Sequence, residues 1–466
     1  MSGVSTTHNS YDAMVDVWKQ CRDNSKGQRA VHAAGVTYLP KLIDQTDSAY
    51  NGYKQRATFY NAYYRTITGL KGMLFKEDPQ PTIPGMLDPM VEDITLTGVP
   101  LKSFSQSVAV EILTVGRVGV FVDHPVVKAG TTLADYNVLN LRPSMSLYRA
   151  ESIINWRTGN VNNQNILTMV VLKEEKKSVD ASDRFTTNNN VQYRVLELVD
   201  SRYTVSVYIV NDKGEDVLLS ESVPTINSTP LNYIPFSFIS TDDLTSEINE
   251  PPLVDLSNVN MSHYRTTADL EHGAHFTGLP TPVVSGYTPA EEGEKLYIGS
   301  QSAWVFPDPD AKATYLEFSG QGLASLENLL NRKESQMAIL GARMLEVQSK
   351  GIEAAETAQI HRKGEESVLA GVAATLSMGI TKALTWFAAM AGDSTSEIEY
   401  EINTDFLPTG MTPQMLTALV GSWQSGAMSG DALFNNLKDG LLYNPDDTYS
   451  DEETKISNSK LPTPEF

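Results

Sequence analysis

The sequence predicts an α+β fold. Three observations carry that prediction. Apolar residues recur at helical spacing up to about residue 114, β-branched and aromatic runs fill about 147–238, and long helical patterns return from about 320. With 466 residues, 41% hydrophobic and 20% charged, the chain can build several packed domains.

The first helical stretch is Tyr53 to Phe75, whose four tyrosines and two phenylalanines are expected in the core before Pro79 and Pro81 end the run. A second helix, Leu101 to Thr114, passes through Gly116 and Gly119 into VGVFVD, a buried-strand pattern, so the switch falls at GRVG. From Leu147 to Phe238 the segments YRAESIINW, ILTMVVLKE, VQYRVLEL, RYTVSVYIV and VLLSES alternate with turns such as NDKG. This predicts an antiparallel sheet.

The acidic connection Thr241 to Glu250 and the pair Pro251-Pro252 precede LVDLSNVNMSHYRTTADLEHGAHF, which can form about six helical turns. Its polar content is expected to face water or a neighbour. Pro and Gly break Thr277 to Phe318 into short extended pieces, a compact β-rich insertion. From Gly320 to Leu345 a long helix returns, with Leu323, Leu326, Leu330, Met337, Leu340 and Met344 at heptad spacing and Lys333 as the single break. That narrow seam implies a helical neighbour.

Glu346 to Gly364, which contains Gly351 and charges of both signs, is expected in part as a mobile loop. Val368 to Ala391 is apolar and long enough to cross a bilayer. Lys382 and the many small residues favour a packed helix instead, because a charge is costly in lipid and small side chains allow close helix approach. Two short helices should start near Thr412-Pro413 and Ser429-Gly430-Asp431, and the acidic tail from Asp446 is expected to be disordered. Internal repeats are absent from the sequence.

Composition narrows the function. Thirty-six Lys and Arg against fifty-seven Asp and Glu give a net charge of −21, which disfavours a tight, sequence-reading DNA binder. The single cysteine, Cys21, excludes an intrachain disulfide and a thiolate zinc cluster and suits an intracellular folding site. The N-terminus lacks the basic and apolar pattern of a secretory signal and reads as mature protein. His263, His272 and His275 lie near one another without HExxH or an acidic constellation, so surface or interface histidines are favoured over a metal site. GxxxxGK[ST] and GxSxG are both missing, leaving no phosphate loop and no nucleophile elbow. Glu291, Glu292, Glu294, Asp308 and Asp310 could hold a divalent cation, although a solvated loop face is the simpler reading. Catalysis, cofactor and metal are therefore not expected.

Several phrases resemble the bacteriophage portal proteins, in a family often described under an uncharacterised-domain name: YNAYYRTITGLKGMLFKEDP, EILTVGRVGVFVDHP, YRAESIINWR, PPLVDLSNVNMSHYRTTADLEHGAHF and YLEFSGQGLASLENLLNRKESQMAILGARML. The resemblance spans about Tyr53 to Leu345 and weakens beyond it. It implies a portal-protein fold with a mixed wing domain, a two-helix stem, a small β-rich clip and a helical crown. On that plan 1–249 is the wing, helical and then antiparallel β-rich. The first stem helix is 250–276, the clip 277–318, the second stem helix 319–345 and the tunnel loop 346–358. A wing return helix and connecting strand take 359–410, and the crown and acidic tail take 411–466.

The resemblance further implies a homo-oligomer, usually a dodecameric ring, in the virion at the portal vertex of the head-tail junction and assembled in the bacterial host cytoplasm. Its partners would be the major capsid protein, the terminase large subunit during packaging, a head-to-tail adaptor, and double-stranded DNA passing without sequence specificity; a membrane is not among them. Many phosphate contacts would hold a sliding duplex too tightly, so net acidity fits a conduit. Gln348 and Lys350 in the loop and Arg332 and Lys333 on the stem are the DNA-channel candidates, with ordinary solvated or intersubunit charges as the alternative. Tyr297, Trp304, Asp308 and Asp310 are the candidates for a clip surface facing terminase or adaptor. Alternative functions are another head-completion or tail ring protein, or a metal-dependent hydrolase using the acidic cluster with His272 and His275.

Overall fold

Gly116 ends a helix in the left-handed conformation, φ 79°, and the β-branched run after it becomes the middle strand of the body. The computed structural model describes residues 3–125, 138–161, 163–179, 182–226, 229–278, 281–287, 296, 304–306, 308–316, 321–342, 344, 367–393, 397–404, 419–423, 427–439, 448–450 and 454–455. It forms two units, residues 1–404 and 405–466.

The first unit begins with helices α1 (Asn9–Lys26), α2 (Gln28–Ala34), α3 (Asp47–Arg56), α4 (Ala62–Leu74), α5 (Asp88–Val91) and α6 (Leu101–Val115). The aromatic run expected as one helix from Tyr53 is broken. Asn61 turns out of the chain and its side chain accepts from Tyr64 N, starting α4 afresh. Its tyrosines and phenylalanines divide as a result. Tyr53, Phe59 and Tyr63 are buried, whereas Tyr60 and Tyr64 are exposed.

Strand β1 (Arg117–Asp123) pairs antiparallel with β2 (Ser144–Arg149) on one side and with β10 (Phe236–Ser240) on the other. Between them in sequence, β3 (Ile153–Val161), β4 (Gln164–Val179), β5 (Thr187–Val199), β6 (Arg202–Val210) and β7 (Asp216–Ser222) form a five-stranded antiparallel meander. A small pair, β8 (Thr225–Ile226) and β9 (Thr229–Pro230), follows. The predicted antiparallel sheet is thus two sheets. Alternation along β1 explains the layering, since successive side chains leave a strand on opposite faces. Phe121 on one face joins Ile153, Trp156, Leu172, Leu196, Tyr203, Phe236 and Phe238 in a core shared with the meander. Gly119 is on that same face, where a Cβ would lie 2.2 Å from the Phe236 ring, so only glycine fits.

The opposite face is covered by α9 (Val368–Ala391), the apolar helix near the end of the first unit. Leu369, Val372, Ala373, Leu376, Ile380, Ala383, Leu384 and Phe387 are buried along it at helical spacing. Gly379 lets it approach β10 so closely that a Cβ would lie 2.4 Å from Ile239 Cδ1. The helix has the length and apolarity of a membrane span, and its small residues here serve packing on a sheet. The strand expected after it is, among the described residues, a single antiparallel bridge from Glu399 to Thr82.

In the second unit Ser429 caps α10 (Gly430–Asp439) by accepting from Ala432 N at 3.1 Å, as its position ahead of Gly430-Asp431 predicts. Thr412-Pro413 and nearly all of the acidic tail lie outside the described residues.

Candidate functional site

Helix α7 (Val254–Gly278) leaves the body, strands β11 (Thr281–Ser285) and β12 (Lys312–Leu316) pair antiparallel beyond its end, and α8 (Gln321–Ala342) returns. Gly273 meets Leu323, Thr266 and Ser262 meet Lys333, and His263 meets Glu334. Numbers rise on one helix as they fall on the other, so the two are antiparallel. At 25 residues α7 is about 37 Å long, close to seven turns.

The base of α7 is fixed by polar contacts that its sequence does not advertise as structural. Asn24 Nδ2 donates to Ser257 O and Oγ, at 3.1 and 2.6 Å. Asn260 Oδ1 accepts from Tyr63 N at 3.1 Å and its Nδ2 donates to Tyr60 O at 2.7 Å, tying α7 to α4. Tyr264 packs edge-on to Phe59 within the core of the helical layer, which also holds Val31, Leu39, Tyr53 and Met261. The polar residues expected to face water are therefore partly inside: Ser257, Asn260, His263 and Thr266 are all buried. Further out, Tyr53 Oη donates to Asp269 Oδ1 at 2.6 Å and Arg56 lies 3.0 Å from His272 Nδ1. Beyond Gly273, Ala274, His275 and Phe276 are exposed.

Helix α8 meets α7 along the predicted seam. Leu323, Leu326, Leu330, Lys333, Met337 and Leu340 are its sheltered positions, three and four residues apart, and most of the others are exposed. Lys333 is accommodated because its Nζ donates to Ser262 O and Thr266 Oγ1. Burial, with Arg265 nearby, holds its pKa below the ordinary lysine value. Of the DNA-channel candidates on this helix, Lys333 has its ammonium occupied between the helices, and Arg332 beside it is exposed. His263, expected at a surface or interface, is 4% exposed and lies 3.4 Å from Glu334 Oε1. Burial pulls its pKa below 6.5 despite that carboxylate.

At the tip, Tyr287, Trp304 and Phe306 cluster with ring centroids 5.4 and 6.4 Å apart, and Val305 is 86% exposed. Asp308 folds the turn into β12, accepting from Asp310 N at 2.9 Å through Oδ1 and from Ala311 N through its carbonyl. Of the clip candidates, Trp304, Asp308 and Asp310 are thus on one short stretch, and Tyr297 lies outside the described residues, as do Glu291, Glu292 and Glu294. Among the described residues there is no group of three or more His, Cys, Asp or Glu placed to hold a metal. Gln348, Lys350 and the loop 346–358 are likewise outside them. The residues that bracket the loop, Met344 and Val368, line one cavity of about 310 Å³ at the base of the helix pair, with Asp242, Glu250 and Asp255.

Residues 252–391 match a family model described as a domain of unknown function (DUF4055). The match takes in the whole helix pair, its β-hairpin and α9. No curated protein matches the chain. Among solved structures, a chain from "Neck of empty GTA particle computed with C6 symmetry" overlays with a TM-score of 0.37 at 10% identity, covering 79% of this chain and 86% of that one. A chain from "Virion of native gene transfer agent (GTA) particle" overlays at 0.37 and 11% identity, covering 86% and 95%. A third, from "Neck of native GTA particle computed with C12 symmetry", gives 0.37 and 11%, covering 80% and 88%. Overlays this loose leave the functional reading to the chain's own geometry.

Proposed function

We propose that this chain is the repeating subunit of a portal-type ring at a phage head-tail junction, the conduit for genome packaging and ejection. The observation that carries the reading is the antiparallel pair α7 and α8, capped by the β11–β12 hairpin and rooted in a mixed α/β body. That is the stem and clip plan implied by the sequence resemblance, and the family-model match at 252–391 supports treating the pair and α9 as one unit.

The outer surface of α8 suits a conduit. Its exposed charged residues are Glu327, Arg332 and Glu334, so it presents one cation and two carboxylates to whatever lies beside it. Such a surface cannot accumulate the phosphate contacts that make DNA binding tight and strongly salt-dependent. The tip, where Val305 and Asp310 are exposed beside a half-buried Trp304, is the surface on which terminase and then a head-to-tail adaptor would dock. The ring would sit against the major capsid protein, hold DNA without reading its sequence, and leave ATP hydrolysis to the terminase.

Electron microscopy class averages of the purified chain, and of virions, test the proposal. Rings of about twelve copies with a channel wide enough for duplex DNA, at one vertex of the head, are expected. A monomer or small dimer under all conditions overturns the ring, and rings confined to the tail favour another neck or tail component.

A further inference from the structure

Strands β4 and β5 run on past the sheet that contains them. Among the described residues β3 pairs with β4 only as far as Leu172, and β6 pairs with β5 only as far as Tyr193. From Glu174–Gln192 to Val179–Thr187 the two strands pair with each other alone, forming an arm of roughly 20 Å at about 3.4 Å per residue. Asp183 orders its turn, accepting from Phe185 N at 3.0 Å and from Thr186 Oγ1 at 2.6 Å. Val179 is 64% and Phe185 81% exposed, and Lys176, Lys177 and Val191 are exposed with them. A two-stranded ribbon is at best marginally stable in water, so an arm this exposed calls for a surface to lie on.

Strand β7 offers one. The sheet has two edges, β3 and β7. The N-terminal segment lies along β3, where His8 N donates to Ile154 O at 2.9 Å and Asn155 Nδ2 to Thr6 O at 3.0 Å. At β7 the same segment meets a side chain, Val4 N donating to the Asp216 carboxylate at 2.8 Å. Water-facing edges are commonly guarded by Lys or Pro, and β7 carries neither; its one guard is a bulge at Leu219, where the ladder to β6 shifts. Val217, Leu218 and Leu219 are all exposed.

The two patterns are complementary, given that paired residues share a face of the sheet. Asp216, Leu218 and Glu221 pair with Val210, Tyr208 and Ser206, on the face opposite the core residues Tyr203 and Val205. Lys177 and Val179 pair with Asn189 and Thr187, on the face opposite the core residue Leu172. An aliphatic side chain with a lysine two positions away can thus meet an aliphatic side chain flanked by two carboxylates. Within one chain β6 separates β5 from β7, so the arm cannot reach the outer edge of its own β7.

We propose that the β4–β5 arm of one copy adds as a further antiparallel strand to the β7 edge of a second copy. Backbone hydrogen bonds and the contact of Val179 with Leu218 would supply the affinity, and Lys177 near Glu221 the orientation. Arm and edge are different surfaces, so each copy gives an arm and receives one, and the series closes into a ring. The inference rests on the self-assembly proposed above and assigns it a contact.

Mass photometry of the full-length protein and two variants tests it. Replacing 175–191 by Asn-Gly joins the ladder partners Glu174 and Gln192 through a two-residue hairpin. The other variant combines Leu218→Lys with Leu219→Lys, both at exposed positions. Each alone should weaken association by about tenfold or more. Mixed, they should form a pair of one copy of each, because the truncated chain keeps the edge and the other keeps the arm. Undiminished rings from either variant, or no pair in the mixture, would overturn the arm contact and leave the ring standing. A wild-type protein that stays monomeric would overturn both. If circular dichroism shows that the truncated chain does not fold, Val179→Asp takes its place in both experiments with the same expected outcomes.

Discussion

At His263 two influences oppose each other and burial prevails. Glu334 at 3.4 Å favours the imidazolium, whereas enclosure between α7, α8 and the Tyr60 ring, with Lys333 close by, favours the neutral ring. The folded pKa is therefore below 6.5 and the unfolded chain takes up this proton first. Stability from this residue is present above pH 6.5 and is lost as pH falls from there through the folded pKa. In His263→Gln the denaturation midpoint should fall less steeply between about pH 7.5 and 5.5 than in wild type. Parallel slopes in urea titrations would show that His263 does not carry the effect; His272, depressed in the same direction, is common to both proteins. The sequence shows three histidines on one helix but not which one α8 covers. The same holds for Lys333, which looks like a free cation in a stem until Thr266 and the Ser262 carbonyl are seen to bind it. Buried polar roles such as that of Asn260 depend on partners about 200 positions away, for which sequence spacing has no signal.

Among the elements, those legible in sequence were the ones whose burial is periodic. The seam of α8 followed directly from its leucines and methionines, and the long helix at 368–391 and the GRVG switch also stand where their patterns place them. The break between α3 and α4 was hidden because aromatic residues at helical spacing continue across it; the capping side chain of Asn61 was the available signal. The division of the strands into two sheets was hidden too, because alternation within a strand does not name its neighbour. Glycines inside these elements mark where layers touch, and Gly379 gives a sharp test. A Cβ there meets Ile239 Cδ1 and Cγ1 at 2.4 and 2.7 Å, so Gly379→Ala should push α9 from β10 and cost about 1–3 kcal/mol despite alanine's better helix propensity. Adding Ile239→Ala opens that space, and the double variant should be more stable than additivity allows. Additive losses in the thermal midpoint would mean the clash is relieved elsewhere.

For the whole molecule, charge and assembly pull in opposite directions. Each copy carries −21, and bringing copies together in the proposed ring concentrates that charge. Screening shortens from about 30 Å at 0.01 M salt to about 10 Å at 0.1 M, so added salt relieves repulsion between neighbouring bodies while apolar contacts persist. The ring fraction at fixed protein concentration should therefore rise as salt is raised from about 0.02 to 0.3 M, which mass photometry or sedimentation velocity can follow. DNA retention should respond in the opposite sense and only weakly, because α7 and α8 expose Arg265 and Arg332 beside Asp255, Asp269, Glu271, Glu327 and Glu334, so the pair neutralises few phosphates and the slope of binding with salt counts those contacts. The two measurements separate the forces. Rings that dissociate as salt rises would mean that opposite charges join the copies, placing the acidic surplus away from the contacts. A steep loss of DNA with salt would mean that cations other than Arg265 and Arg332 reach the duplex and that the channel grips what it was proposed to let slide.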